Sequence, residues 1–292
     1  MRRRRPTYPP VPPQEMLPAR TVLVPGRGEF FVRDSGEGEA GRPTVMLLHG
    51  WLVTADLNWW AAYDALVQAG YRVLAIDHRG HGRGLRAMTP FRLTDCAADA
   101  AAVLHALGIE RAIVAGYSMG GVIAQLLVRD HPEVVAGMVL SGTCQHFQDP
   151  QTRRVWKWMG IVGVTLGLVP RQAYRVGFRR SGITLDERSA WLLSELMRHE
   201  ARDAAEAGRE LGRFDSRPWL TALRGLPTAM VLTARDTMVA PVKQHELARA
   251  MDAAVFEVPL DHLELTERPD VYNPALLAAL AAVAAPAGVR VG

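Results

Sequence analysis

Arg111-Ala-Ile-Val-Ala115-Gly116-Tyr117-Ser118-Met119-Gly120-Gly121-Val122-Ile-Ala-Gln-Leu-Leu127 is the stretch on which the fold turns. Its first residues form a short apolar run, the pattern of a strand buried on both faces. The run from 122 to 130 has helical length and is stopped by Pro132. A strand therefore leads straight into a helix, with only a glycine-flanked serine between them. The same alternation extends in both directions. Residues 44–48, 72–76, 135–140, 229–233 and 254–258 have strand length, whereas 57–69 and 93–107 are helical and end at Gly70 and Gly108. Strands alternating with helices predict an α/β domain, a mostly parallel sheet covered by helices on both faces. Residues 21–33, with Gly26-Arg27-Gly28 at their centre, predict an antiparallel hairpin at the sheet edge.

The chain has 292 residues, 49% apolar and 22% charged, which are the proportions of a globular protein rather than a disordered, collagen-like or membrane-spanning one. That length holds one large domain or two small ones, and either buries a self-supporting core. Cys96 and Cys144 lack a CxxC partner, so neither a zinc ribbon nor a disulfide framework is indicated, and both are expected as buried small hydrophobes. The net charge of +4 is unevenly spread. Residues 1–20 carry +4, residues 151–183 carry +7 without a carboxylate, and the remainder carries −7. Prolines follow Arg2 to Arg5 where a signal peptide needs its apolar core. The uncharged apolar stretch 158–170 has 13 residues, short of the roughly 20 that cross a bilayer. The expectation is a disordered Arg/Pro-rich tail over 1–20 on a soluble, cytoplasmic protein.

Gly116-Tyr117-Ser118-Met119-Gly120, set between strand and helix, resembles the nucleophile elbow of the α/β-hydrolase fold family. Such a turn strains the serine backbone and leaves room only for glycine on either side. His49-Gly50-Trp51, after the strand 44–48, is a second and independent match. The resemblance implies that the backbone N–H groups of Trp51 and Met119 form an oxyanion hole, with His49, Gly50, Gly116 and Gly120 as structural support. In the family an acid and then a histidine follow the serine, each after a strand. Asp236, in Thr233-Ala-Arg-Asp236-Thr-Met-Val-Ala-Pro241, and His262, in Val258-Pro-Leu-Asp261-His262, match those places. Some relatives carry the acid one strand earlier, but Ser141, Gly142, Thr143 and Cys144 include no carboxylate. One departure bears on the base. Asp261 stands where the family usually has glycine, a second carboxylate placed to compete for His262 or to raise its pKa.

Asp77-His78-Arg79-Gly80-His81-Gly82-Arg83-Gly84 invites other readings. As a dinucleotide loop its glycines should open a helix, yet Pro90 follows. As a metal site, Asp77, His78 and His81 lack a further ligand cluster. The family's D-x-R-G-x-G-x-S loop accounts for the stretch, with Gly84 in place of the serine, and assigns it no chemistry. His78, His81, His105, His131, His146, His199 and His245 are expected as surface or loop residues.

Residues 145–218 contain no strand-like run and are helical in pattern, with Trp156, Trp158 and Trp191 among many arginines. They predict an α-helical cap, or lid, inserted into a hydrolase core of 21–144 and 219–286. Trp51, Tyr117, Trp156 and Trp158 are candidate substrate contacts. A serine at the elbow implies acyl-enzyme chemistry, argues against the family's dehalogenases and epoxide hydrolases with their aspartate nucleophile, and calls for neither a metal nor an organic cofactor. The expected activity is hydrolysis of a lipophilic carboxylic ester, a small-molecule substrate. The same triad serves carbon–carbon bond hydrolysis, perhydrolysis and acyl transfer, and a non-catalytic ligand-binding protein on this fold is the rival from another class. No nucleic-acid partner is expected. The cations beside Trp156 and Trp158 resemble an interfacial lid that makes weak membrane-surface or lipid contact, while the plainer alternative pairs them with the acidic body. Oligomeric state is left open.

Overall fold

The computed structural model describes residues 9–36, 38, 43–149 and 186–284. Eight strands, β1 Ala19–Val24, β2 Gly28–Asp34, β3 Thr44–Leu48, β4 Arg72–Ile76, β5 Ala112–Tyr117, β6 Val135–Ser141, β7 Thr228–Thr233 and β8 Ala254–Val258, form one sheet in the order β1-β2-β4-β3-β5-β6-β7-β8. The β1–β2 hairpin is antiparallel with Ala19 opposite Arg33, and β2 runs antiparallel to β4. Every other pairing is parallel. The expected architecture, a largely parallel sheet with an antiparallel edge hairpin, is the one observed.

Successive residues of a strand point to opposite faces, and here both faces are covered. Met46 and Leu48 of β3 join one apolar cluster, with α2 (Leu93–Ala106), α3 (Met119–Asp130) and α6 (Pro241–Met251). Val45 and Leu47 join the other, with α1 (Ala55–Gln68) and α7 (Pro269–Ala284). The alternation repeats in β4, where Leu74 and Ile76 face one way and Val73 and Ala75 the other. The last four positions of each of these two strands are buried, which explains the apolar runs. Strand β8 differs. It lies at the sheet edge with Ala254, Val255 and Glu257 exposed, so the expectation of burial on both faces fails there.

Local signals set the helix ends. Thr54 Oγ1 accepts the Leu57 N–H at 3.0 Å and caps α1. Gly70, at φ 83°, takes the chain out of it in a backbone region that glycine enters without strain. Between β6 and β7 the described residues form α4 (Glu187–Leu196) and α5 (Ala201–Arg213). Asp186 and Ser189 open α4 with a reciprocal capping box. Residues 150–185 lie outside the described set, and with them Trp156, Trp158 and the cationic cluster.

The tail expected to be disordered through residue 20 packs on the body well before that. Gln14 Nε2 donates to the Trp60 carbonyl at 2.8 Å, Arg33 Nη1 donates to the Leu17 carbonyl at 2.8 Å, and Met16 and Leu17 pack against the core. Extended proline-rich chain has no internal hydrogen bonds, so its carbonyls are free to be taken by the body. Residues 1–8, including Arg2 to Arg5, are outside the described set. Among the described residues no helix is long and apolar enough to cross a membrane.

Candidate active site

The parallel strands end together along one edge of the sheet. Leu48 lies beside Gly116, Tyr117 beside Ser141, and Thr233 beside Val258. The loops leaving that edge carry His49 to Trp51, Ser118, Asp236 and His262, which is why residues so distant in sequence meet there.

Ser118 joins β5 to α3 at φ 54° and ψ −116°. A non-glycine residue in that region costs roughly 1–3 kcal/mol, so its surroundings must hold it. Its N–H donates to the Ser141 carbonyl at 2.9 Å, and its carbonyl accepts the Gly121 N–H at 3.0 Å. A Cβ on Gly116 would run into the Gly120 carbonyl, and one on Gly120 into the Leu48 carbonyl. The flanking glycines are therefore dictated by close backbone approach.

His262 Nε2 lies 3.0 Å from Ser118 Oγ, and His262 Nδ1 lies 2.7 Å from Asp236 Oδ2. A carboxylate accepts, so Nδ1 carries the proton and Nε2 turns its lone pair toward the serine hydroxyl. Asp236 and His262 are each 4% exposed, whereas Ser118 is only partly buried and open to a reactant. Asp236 Oδ1 accepts the N–H groups of Met238 at 2.9 Å and Val239 at 2.7 Å.

Asp261 does not compete for the imidazole. Its carboxylate accepts the Thr237 N–H at 2.9 Å, the Thr237 hydroxyl at 3.0 Å and the main-chain N–H of His262 at 2.6 Å. The Thr237 amide, with the His262 amide behind it, holds the Asp261 carboxyl below the usual range. It fastens the loop that carries His262 and leaves the ring to Asp236.

His49 is fully buried. Its Nε2 receives the His78 main-chain N–H at 2.9 Å, so its proton sits on Nδ1 and is donated to the Gly50 carbonyl at 2.7 Å. That carbonyl and the Trp51 N–H belong to one trans peptide and point oppositely. Gripping the carbonyl therefore aims the Trp51 amide. Asn58 Oδ1 accepts the Gly50 N–H at 2.9 Å and braces the preceding peptide. Met119 is the first residue of α3, where N–H groups have no intrahelical acceptor.

Two side chains expected to touch substrate have other attachments. Tyr117 is 2% exposed, and its hydroxyl donates to the His262 carbonyl at 2.6 Å. It supports His262 from one face of the sheet, because successive residues of β5 point to opposite faces. The Trp51 indole Nε1 donates to the Ala204 carbonyl of α5 at 2.7 Å.

The histidines of the glycine-rich loop, expected as surface or loop residues, lie in a loop but are buried. The loop folds under the β3 end, where His78 and His81 are buried and pack with His49 at ring separations of 4.3 and 5.6 Å. His199, between α4 and α5, extends the stack to His81 at 5.3 Å and accepts the Gly82 N–H at 3.3 Å. Burial pushes all four imidazoles down, His78 to about 3 and His199 to about 4. Among the described residues no group of three or more His, Cys, Asp or Glu side chains is placed to hold a metal ion. Asp77 ties this loop to α1, accepting the Ala55 N–H and the Arg83 N–H, each at 2.7 Å, and burial raises it to about 6.

The sequence pattern overlooked the polar residues behind the site. Thr233 and Gln244 bond to Asp236, and Glu195 of α4 receives Arg83 at 2.6 Å and the Thr54 hydroxyl at 3.1 Å. Glu195 and Gln244 belong to no local motif, whereas Thr233 lies three residues before the carboxylate it bonds.

A family model for the alpha/beta hydrolase fold matches residues 43–203, just over half of the chain, and the chain belongs to that family. It is 41% identical over 115 residues to a non-heme haloperoxidase of Rhodococcus erythropolis, 39% of this chain and only 40% of that relative. It is 25% identical over 250 residues to 3-oxoadipate enol-lactonase 2 of Acinetobacter baylyi, 83% of this chain and 90% of that one. A solved hydrolase from Pseudomonas aeruginosa PA01 shares the fold with a TM-score of 0.76 and 24% identity, over 90% of this chain and 98% of the other.

Proposed function

We propose that the protein is a serine hydrolase that cleaves carboxylic esters through an acyl-enzyme. The observation that carries this is the hydrogen-bonded series Ser118 Oγ, His262, Asp236, at 3.0 and 2.7 Å, on a strained elbow at the open edge of the sheet. Ser118 Oγ attacks the ester carbonyl as its proton passes to His262 Nε2. The Trp51 and Met119 amides receive the oxyanion, each worth typically 10²–10³ in rate. His262 returns the proton to the departing alkoxide, then takes one from water as it attacks the acyl-enzyme. When that intermediate collapses, Ser118 recovers its proton and the carboxylic acid leaves.

Residues 145–218 serve as the cap of a core formed by 21–144 and 219–286. Supporting this, Glu195 and Ala204 of α4 and α5 bond to Arg83 and Trp51, on two loops at the same sheet edge. A lipophilic substrate is favoured by Met238 and Leu263, neighbours of Asp236 and His262 in the chain, which are 61% and 69% exposed. The relative aligned over most of both chains is called a lactonase, and a lactone is a cyclic ester open to the same attack.

A panel of p-nitrophenyl esters graded by acyl length, run beside a lactone, a diketone and a peroxide assay, tests the assignment. Esters turn over, with longer acyl groups preferred. Turnover of the diketone alone would move the activity to carbon–carbon bond cleavage. Asp236→Asn lowers kcat by about 10³–10⁴ by imposing the wrong imidazole tautomer, whereas Asp261→Asn costs less than about tenfold, because it touches only backbone and Thr237. The reverse ranking would make Asp261 the acid.

A further inference from the structure

Thr233 and Gln244 take no part in that scheme, yet both are fully buried and both end on Asp236. The donors and acceptors fix the direction of each bond. Gln244 Oε1 accepts the Thr233 main-chain N–H at 3.1 Å, which settles the amide orientation. Nε2 then faces the Val239 carbonyl at 2.8 Å, Thr233 Oγ1 at 2.9 Å and Asp236 Oδ2 at 3.2 Å. Having received from Gln244, the Thr233 hydroxyl turns its own hydrogen to Asp236 Oδ2 at 2.8 Å, the nearer of two acceptors, Gln244 Oε1 lying at 3.2 Å.

Two consequences follow from this arrangement. One side chain of α6 spans the acid loop, bonded to its first residue, Thr233, and to Val239 beyond the acid. The carboxylate oxygen that accepts the His262 Nδ1–H bond also receives the Thr233 hydroxyl and, at longer range, Gln244. Every donor on Oδ2 draws off charge that would otherwise face the imidazole. A buried primary amide is costly unless satisfied, and an apolar residue would fill the same space at no such cost. Its placement makes sense through what it does to Asp236.

We propose that Gln244 and Thr233 are positioning residues that staple the acid loop and meter the negative charge Asp236 presents to His262, and thereby set the basicity of His262. The proposal rests on the hydrolase function above, but its first test does not need turnover. Thr233→Val preserves the volume and removes the hydroxyl, Thr233→Ser keeps the hydroxyl, and Gln244→Met removes the amide. In protein carrying ¹⁵N-histidine, the NMR titration midpoint of His262 rises by about half a pH unit or more in Thr233→Val and Gln244→Met, and stays at the wild-type value in Thr233→Ser. On an ester turned over by the wild type, kcat in Thr233→Val falls roughly tenfold at unchanged KM, and the acid limb of kcat/KM moves to higher pH. Residues that served packing alone would lower Tm and leave the midpoint in place. A folded Thr233→Val protein with the wild-type His262 midpoint overturns the proposal. Absence of ester turnover in the wild type would count against the hydrolase assignment, and the NMR midpoint would still decide this one.

Discussion

Ser118→Ala protein retains its fold and loses ester turnover by about 10⁴–10⁶ in kcat, because the members of a nucleophile–base–acid unit act together. Alanine keeps the Cβ, the strained backbone and both flanking glycine contacts, so the melting temperature stays within about 2 °C of the wild type. What disappears is the oxygen 3.0 Å from His262 Nε2, and with it the acyl-enzyme. On the proposed mechanism the Trp51 and Met119 amides survive, so a residual rate above that in water persists. The measurement is steady-state hydrolysis of a short p-nitrophenyl ester, with a pre-steady-state burst in the wild type as the mark of the covalent intermediate. A Ser118→Ala protein keeping a tenth of the wild-type kcat would show that another group attacks the ester.

The second large effect is acid lability. His49, His78, His81 and His199 are held neutral by burial, His78 down to about 3 and His199 to about 4, whereas in the unfolded chain each titrates at its ordinary value. Below about pH 6.5 the unfolded state thus binds protons the folded state refuses, and stability falls with pH. Asp77 works the other way. Raised by burial to about 6, it takes up its proton in the folded state first and offsets one histidine. His78 and His199 set against Asp77 leave about one net proton, a slope of about 1.4 kcal/mol per pH unit between about pH 6 and 4, and His49 and His81 steepen it in the same direction. Against an ordinary domain stability of about 5–15 kcal/mol, that loss over two pH units is substantial. Urea melts at half-unit steps from pH 7.5 to 4 measure it directly, and His199→Asn, at the least enclosed of the four, flattens the curve by about 1.4 kcal/mol per unit. A wild-type curve that is level from pH 6.5 to 4.5 would mean that the stack opens to water or finds partners.

What the sequence discloses about this molecule, and what it withholds, divides along the reach of each interaction. The strands β3 to β7 are legible because burial on both faces leaves an unbroken apolar run. Ser118 and Asp236 are legible because each follows such a strand, and His262 because it follows the exposed edge strand β8 in a recognisable order. Tyr117, by contrast, sits next to the nucleophile in the chain and looks like a substrate contact until the pleat of β5 turns its hydroxyl toward the His262 carbonyl. The choice between Asp261 and Asp236 depends on Thr237, 24 residues before Asp261, which claims the nearer carboxylate first. His78 and His81 lie in a glycine-rich loop, and only its folding beneath the β3 end buries them. Gln244 carries no local mark, because its partners are the end of one strand and the loop beyond it.

The contact between Gly120 and the Leu48 carbonyl bears on how this site tolerates mutation. Met119 and Trp51 lie in two chain segments that are joined at that point, main chain against main chain, with no side chain in between. Substitutions accumulating elsewhere have nothing there to lengthen, shorten or repack, so the spacing of the two amides is insulated from drift in composition. The insertion after β6, which touches this edge through individual side chains such as Trp51, Arg83 and Glu195, has no such insulation. On the proposed function, change over generations is free to accumulate in what the site accepts while the spacing of the Trp51 and Met119 amides stays as it is.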